Sequence, residues 1–107
     1  MNTDDPIGSL LSRQGKLTML RVNDVGTGYG SPDDFLDAEV IFRLDSAPPQ
    51  VFGFQLLGNS NEAAHRSMLD LLRDAFNGGA AVTVEYVRTG LRGGRVQRVI
   101  RSQEERQ

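Results

Sequence analysis

Residues 89–101 read TGLRGGRVQRVIR, and how they are read decides the number of strands in the fold. Thr89–Gly94 holds Gly90, Gly93 and Gly94 and reads as a hairpin loop. Arg95–Arg101 then admits two readings. As a strand it sends alternate residues to opposite faces; as a helix it places Val96, Val99 and Ile100 on one side. The residues before the loop favour the strand. Val82, Val84 and Tyr86 alternate with Thr83, Glu85 and Val87, and a strand that runs into a glycine-rich turn needs an antiparallel partner. A C-terminal helix stays open as the alternative.

Working back toward the N-terminus, Ala64, Met68, Leu71, Leu72, Ala75 and Phe76 recur at the three-and-four spacing of one buried helical face. Asn59, Ser60 and Asn61 are capping candidates, Glu62 suits the first turn, and Gly78-Gly79 closes the other end. Glu62 with Arg66, and Arg66 with Asp70, are spaced for i,i+4 ion pairs. Before this helix, Gln50–Leu57 reads as a strand with Phe52, Phe54 and Leu56 on one face, and Gly53 marks a bend or a close backbone approach. Leu36, Ala38, Val40, Phe42 and Leu44 alternate with Asp37, Glu39, Ile41, Arg43 and Asp45, which predicts a strand over 36–45 with one wet face. Lys16–Val25 is a further strand, whose apolar parity switches between Leu17/Met19 and Leu20/Val22 as at a bulge. Asp5 as N-cap, Pro6, Ile7, Leu10 and Leu11, then Gly15, have the grammar of a short helix.

The order is thus short α-β-β-β-α-β-β, a mainly β fold with one long helix (α+β). At 107 residues, 38% hydrophobic and 24% charged, the chain fits a single domain with a core over about 6–101 and a frayed tail at 102–107. Cysteine is absent, which excludes disulfides, thiolate chemistry and cysteine-bound zinc. No apolar run is long enough to span a bilayer and no leader pattern opens the chain, so a cytoplasmic, soluble protein is expected.

Five short, strongly coiled strands with a helix between the third and fourth resemble the OB-fold, a five-stranded Greek-key barrel. The two helices are also similar in order to those of the B subunits of bacterial AB5 toxins. VGTGYGSPDDFLDAEV with FGFQL and MLDLLRDAF further resembles small uncharacterised bacterial proteins. These resemblances rest on element order and short stretches, and carry no functional residue with them.

Gly26-Thr27-Gly28-Tyr29-Gly30 is the stretch closest to a phosphate cradle. A Walker A loop needs a lysine followed by serine or threonine, and a dinucleotide loop needs a third glycine three residues after the second and a helix behind it. Here Ser31 follows and the next element is a strand, so a long connection is the reading. In OB-folds the first hairpin loop borders the ligand face, which makes Tyr29 a candidate stacking residue. Asp24, Asp33, Asp34 and Asp37 could offer oxygen ligands to a hard cation but lack EF-hand spacing, so no metal is assigned. His65, the single histidine, falls on the flank of the apolar helical face near Leu69 and Leu72, with no serine and acid spaced for a triad. No cofactor and no catalytic residue are expected.

Charge is unevenly distributed. Residues 1–61 hold four basic and eight acidic side chains, residues 62–107 eight arginines and six acids. Arg88, Arg92, Arg95, Arg98 and Arg101 cluster with no acid among them, and such a run can track a phosphate backbone or guard a strand edge. On a strand, Arg95, Gln97 and Arg101 would share one face and Arg98 the other. The arginine-rich strand also complements the acidic one (Asp37, Glu39, Arg43, Asp45), as in a head-to-tail ring, and the wide apolar face of the helix offers surface for a second copy. The sequence therefore reads as a non-catalytic ligand-binding or assembly module. Single-stranded nucleic acid or another polyanion bound through Arg88–Arg101 is one alternative, and a ring-forming subunit that binds glycan or protein is another.

Overall fold

The computed structural model describes residues 9–24, 30, 36–46, 50–56, 60–90 and 92–102. Five strands, β1 (Leu10–Val22), β2 (Val40–Leu44), β3 (Val51–Phe54), β4 (Ala81–Arg88) and β5 (Gly93–Ile100), and one helix, α1 (Glu62–Gly78), lie in the chain order β1-β2-β3-α1-β4-β5. The strands close into a barrel in the order β1-β2-β3-β5-β4. The barrel is mainly β and compatible with an OB-like arrangement.

The long first strand makes closure possible. Residues Leu10–Lys16 pair antiparallel with β4, from Leu10↔Val87 to Lys16↔Ala81, and Leu17–Val22 pair with β2, from Leu17↔Leu44 to Val22↔Val40. A bulge between Leu17 and Met19 leaves Thr18 as the extra residue. It shifts the inward side chains from Leu11 and Leu17 to Leu20, while Met19 turns to a second apolar cluster. The parity switch in the sequence is this bulge.

The short N-terminal helix is corrected over its described part, because Leu10–Gln14 are strand. Asp5, Pro6 and Ile7 lie outside the described residues. Its helical spacing rested on three apolar residues, and edge pairing with β4 outweighs so weak a local signal. Gly15 is not a helix end but a point of close approach. A Cβ there would sit 2.6 Å from Ser46 Oγ and 2.7 Å from Asp45 Oδ1. The same turn grips β1 as it changes partner: Lys16 N–H donates to Asp45 Oδ1 at 3.0 Å, and the Ser46 hydroxyl donates to the Gln14 carbonyl.

The strand expected over 36–45 is regular only from Val40, and its predicted wet face is wet only in part, with Asp37 and Asp45 exposed and Arg43 half-buried. Val40, Phe42 and Leu44 enter the barrel core, whereas Ile41 is fully buried on the other side with Leu36, Ala38 and Val51. Leu36 and Ala38 therefore do not continue the inner face; they cover the outer one. Glu39 is buried as well, its Oε1 accepting from Leu56 N–H at 2.6 Å. Gly53 marks a close approach, with Leu36 lying over it.

The core centres on three rings. Phe52 stacks on Phe42 with centroids 5.5 Å apart and meets Tyr86 edge-on at 4.9 Å. Gly94 makes room for this, since a Cβ there would lie 2.6 Å from the Tyr86 ring. β5 thus starts two residues before the expected Arg95, with Gly93 and Gly94 paired to β3 rather than looped. α1 closes the barrel with Met68, Leu72 and Ala75, a narrower face than the sequence suggests, because Ala64 and Phe76 are exposed. Asn61 is its N-cap residue, with no side-chain capping bond, and Gly79 ends it in the left-handed region at φ 67°. Glu62 pairs with Arg66 at 2.9 Å as spaced, while Asp70 pairs with Arg73 at 3.0 Å instead of Arg66.

Candidate functional site

The barrel's parallel seam is short. β3 and β5 pair at Val51↔Gly93, Phe52↔Gly94 and Gly53↔Arg95; β3 then ends at Phe54 and the chain turns toward α1, while β5 runs on beside β4 to Ile100. Where the two strands part, the first turns of α1 close over the gap and leave a cleft of about 440 Å³. Its apolar lining is Phe54, Met68, Val96 and the Ala64 methyl. Its polar lining among the described residues is Gln55, Asn61, His65, Arg95 and Gln97, with no carboxylate.

His65 is fixed on the rim of this cleft. Its ring leans on Phe54 with centroids 5.5 Å apart, and its Nδ1 meets the carbonyl of Gln55. A carbonyl only accepts, so Nδ1 carries the proton and Nε2 is the acceptor of the neutral ring. Gln55 is tethered in turn, its Nε2 donating to Asp37 Oδ2 at 3.4 Å. Linear reasoning did not find this cleft, because it draws on residues 54–55, 61–68 and 95–97, which only the parting of two strands brings together.

The five arginines differ in their surroundings. Arg88 folds onto its own loop, Nε donating to the Gly90 carbonyl at 3.1 Å. Arg92 holds the loop by its backbone, its carbonyl accepting from Val51 N–H at 2.8 Å. Arg95 lines the cleft. Arg98 pairs with Glu85 across the strands at 3.2 Å, so β4 supplies the acid that the linear run lacks; an exposed pair of this kind contributes under about 1 kcal/mol. Arg101 lines a second groove of about 600 Å³ with Lys16, Gln14 and Thr83.

The expected division of faces on β5 is also corrected. A bulge opposite Glu85/Tyr86 makes Gln97 the extra residue. Val96 and Val99 are buried while Arg95, Gln97 and Arg98 are all exposed, so Arg98 joins Arg95 on the outer side.

Tyr29, like Asp33 and Asp34, lies outside the described residues. Among the described residues no group of three or more His, Asp or Glu is placed to hold a metal ion. Tyr86 cannot stack on a ligand, because it is buried and its hydroxyl accepts from Gln50 Nε2 at 3.3 Å. The outer face of β2 and β3 is closed by Leu36 and Ala38. The acids that would complement the arginines in a ring make contacts within the chain: Asp37 with Gln55, Glu39 with Leu56, Asp45 with Lys16. Among the described residues Leu10, Val22 and Phe76 are the large apolar side chains left exposed, and no helix is long and apolar enough to cross a membrane. Compared with known proteins, the chain matches no family model, and no curated protein or solved structure resembles it significantly.

Proposed function

We propose that the barrel is an OB-fold acting as a non-catalytic binding module, with the cleft between α1, β3 and β5 as its ligand site. The observation that carries this reading is the cleft itself, in which an apolar floor of Phe54, Met68 and Val96 is ringed by His65, Arg95 and side-chain amides. Small-molecule sites combine apolar walls with convergent polar groups, and this cleft has both, the polar residues being the larger share. Catalysis is not supported by the same residues. Among the described residues the lining has one histidine and neither a nucleophilic side chain nor a carboxylate, so acid–base and covalent chemistry lack a second group there.

Ala64 is exposed on the helix and lines the cleft, so Ala64→Trp fills the site without touching the core. In amide spectra of the labelled protein screened against small fragments, shifts are expected at Ala64, His65, Val96 and Gln97, and Ala64→Trp should abolish them. Fragment-induced shifts that avoid these residues would refute the reading.

A second reading, polyanion binding, is favoured by one observation: Lys16 and Arg101, far apart in sequence, line one groove with Gln14 and Thr83. Two contacts to single-stranded phosphates give a log–log salt slope of about −1.4. With oligodeoxythymidine as probe, Arg101→Gln should roughly halve that slope. Affinity that is independent of salt, or unchanged in Arg101→Gln, would remove the reading.

A further inference from the structure

We infer that the ligand of this cleft is a small oxyanion, a carboxylate or phosphate monoester attached to a flat apolar body, which Arg95 recognises; the inference rests on the cleft being the ligand site. Arg95 is the one formally charged residue among the described residues of the lining. Among the described residues no acid answers it inside the cleft, whereas Arg98, two rungs along the same strand edge, is paired with Glu85. A planar guanidinium fork open to a cavity fits an oxyanion with two parallel hydrogen bonds.

The wall opposite adds to the positive potential. Asn61, Ala64 and His65 of the first turns of α1 line the cleft, and the Asn61 side chain makes no capping bond to the helix amides. The positive end of the helix dipole therefore faces the same space as Arg95. Glu62 carries the one acid of that first turn, and Arg66 compensates it with Nε and Nη2 at 3.0 and 2.9 Å.

The remaining surfaces define the rest of the ligand. Met68 and Val96 offer apolar contact, and the His65 ring is held in one orientation by Phe54 and the Gln55 carbonyl. Its Nε2 accepts, so a ligand N–H or O–H beside the flat body gains a partner there. About 440 Å³ suits a ligand of one ring and its anionic substituent.

Three probes of one size separate the possibilities: benzoate, phenyl phosphate and neutral benzamide, each titrated into the labelled protein and followed through the amides of Ala64, His65, Val96 and Gln97 and the Arg95 side-chain Nε–H. Benzoate, phenyl phosphate or both should shift these signals at least about tenfold more tightly than benzamide, a factor equivalent to about 1.4 kcal/mol. Whichever anion binds more tightly identifies the carboxylate or the phosphate as the natural group. Arg95→Gln should erase the preference for the anion, and Arg101→Gln, in the other groove, should leave it intact. Equal binding of benzamide in the cleft would overturn the oxyanion inference while leaving the cleft as the site. Absence of cleft shifts with all three probes would overturn both.

Discussion

Phe52→Ala should cost about 3–5 kcal/mol of folding stability, the range for emptying a large aromatic site in a packed core. Phe52 is fully buried, and it is the ring that both Phe42 and Tyr86 touch, at 5.5 and 4.9 Å. It also lies on β3 beside the parallel seam, where it pairs with Gly94 of β5. Its removal therefore leaves a void between strands from both halves of the chain. Domains of this size have about 5–15 kcal/mol in total, so the variant should retain only a small margin. Urea unfolding checks this directly, with the midpoint falling and the slope unchanged. Phe76→Ala, which truncates an exposed ring, is the control and should cost under about 1 kcal/mol. A Phe52→Ala cost no larger than the control's would mean that the three rings do not form the centre of the core.

Gly53→Ala should cost about 2–3 kcal/mol, although a single methyl group is added. The new Cβ would lie 2.6 Å from the Val40 carbonyl oxygen, 2.9 Å from Leu36 Cδ2 and 3.0 Å from Ile41 Cδ1. Two of these are side-chain ends that can yield. The carbonyl belongs to the partner strand, in register with β3 at Val40↔Phe54 and Ile41↔Gly53, so relief requires the β2–β3 ladder to open. Overpacking of this kind costs about 1–3 kcal/mol when side chains can adjust. Here the backbone obstacle puts it at the upper end. Thermal unfolding should show a drop of about 10–20 °C. Adding Leu36→Ala to Gly53→Ala should recover little, because the Val40 carbonyl stays where it was. Full recovery would mean that the outer covering, not the ladder, sets the limit.

Gly53 also marks how far the sequence can be read. A glycine between two phenylalanines signals a close approach, and it does approach Val40 and Leu36; what approaches it was not legible, because Leu36 and Ala38 continue the alternation of Val40–Leu44 without a break. Period-two spacing tells that a residue alternates, but a chain that folds back over its own sheet keeps the spacing and changes the face. The strand reading of residues 95–101 was legible because Tyr86 and the glycine-rich turn demanded a partner, and β5 supplies it from Gly93 to Ile100. The bulge at Thr18 was legible as a parity switch, whereas the bulge at Gln97 was not, because Val96 and Val99 with Ile100 satisfy a helical spacing equally well.

The candidate site was less legible than the fold. Arg95 stood out in a run of five arginines, yet nothing in the run distinguishes it from Arg88, which is bonded to its own loop, or from Arg98, which is paired. His65 read as a boundary residue of a helical face, and it is half-buried at the rim. That it shares a cleft with Arg95 follows from where β3 stops, and three glycines at 53, 93 and 94 decide how closely the two strands run before that point.

The most direct measurement is a set of intermolecular nuclear Overhauser contacts from the ring protons of bound benzoate to the methyl groups of the protein. Contacts to Ala64, Met68 and Val96, the methyl-bearing residues of the cleft, are the expected result. Contacts to Leu10 or Val22, the exposed apolar side chains at the two ends of β1, in place of these three would contradict the cleft as the ligand site.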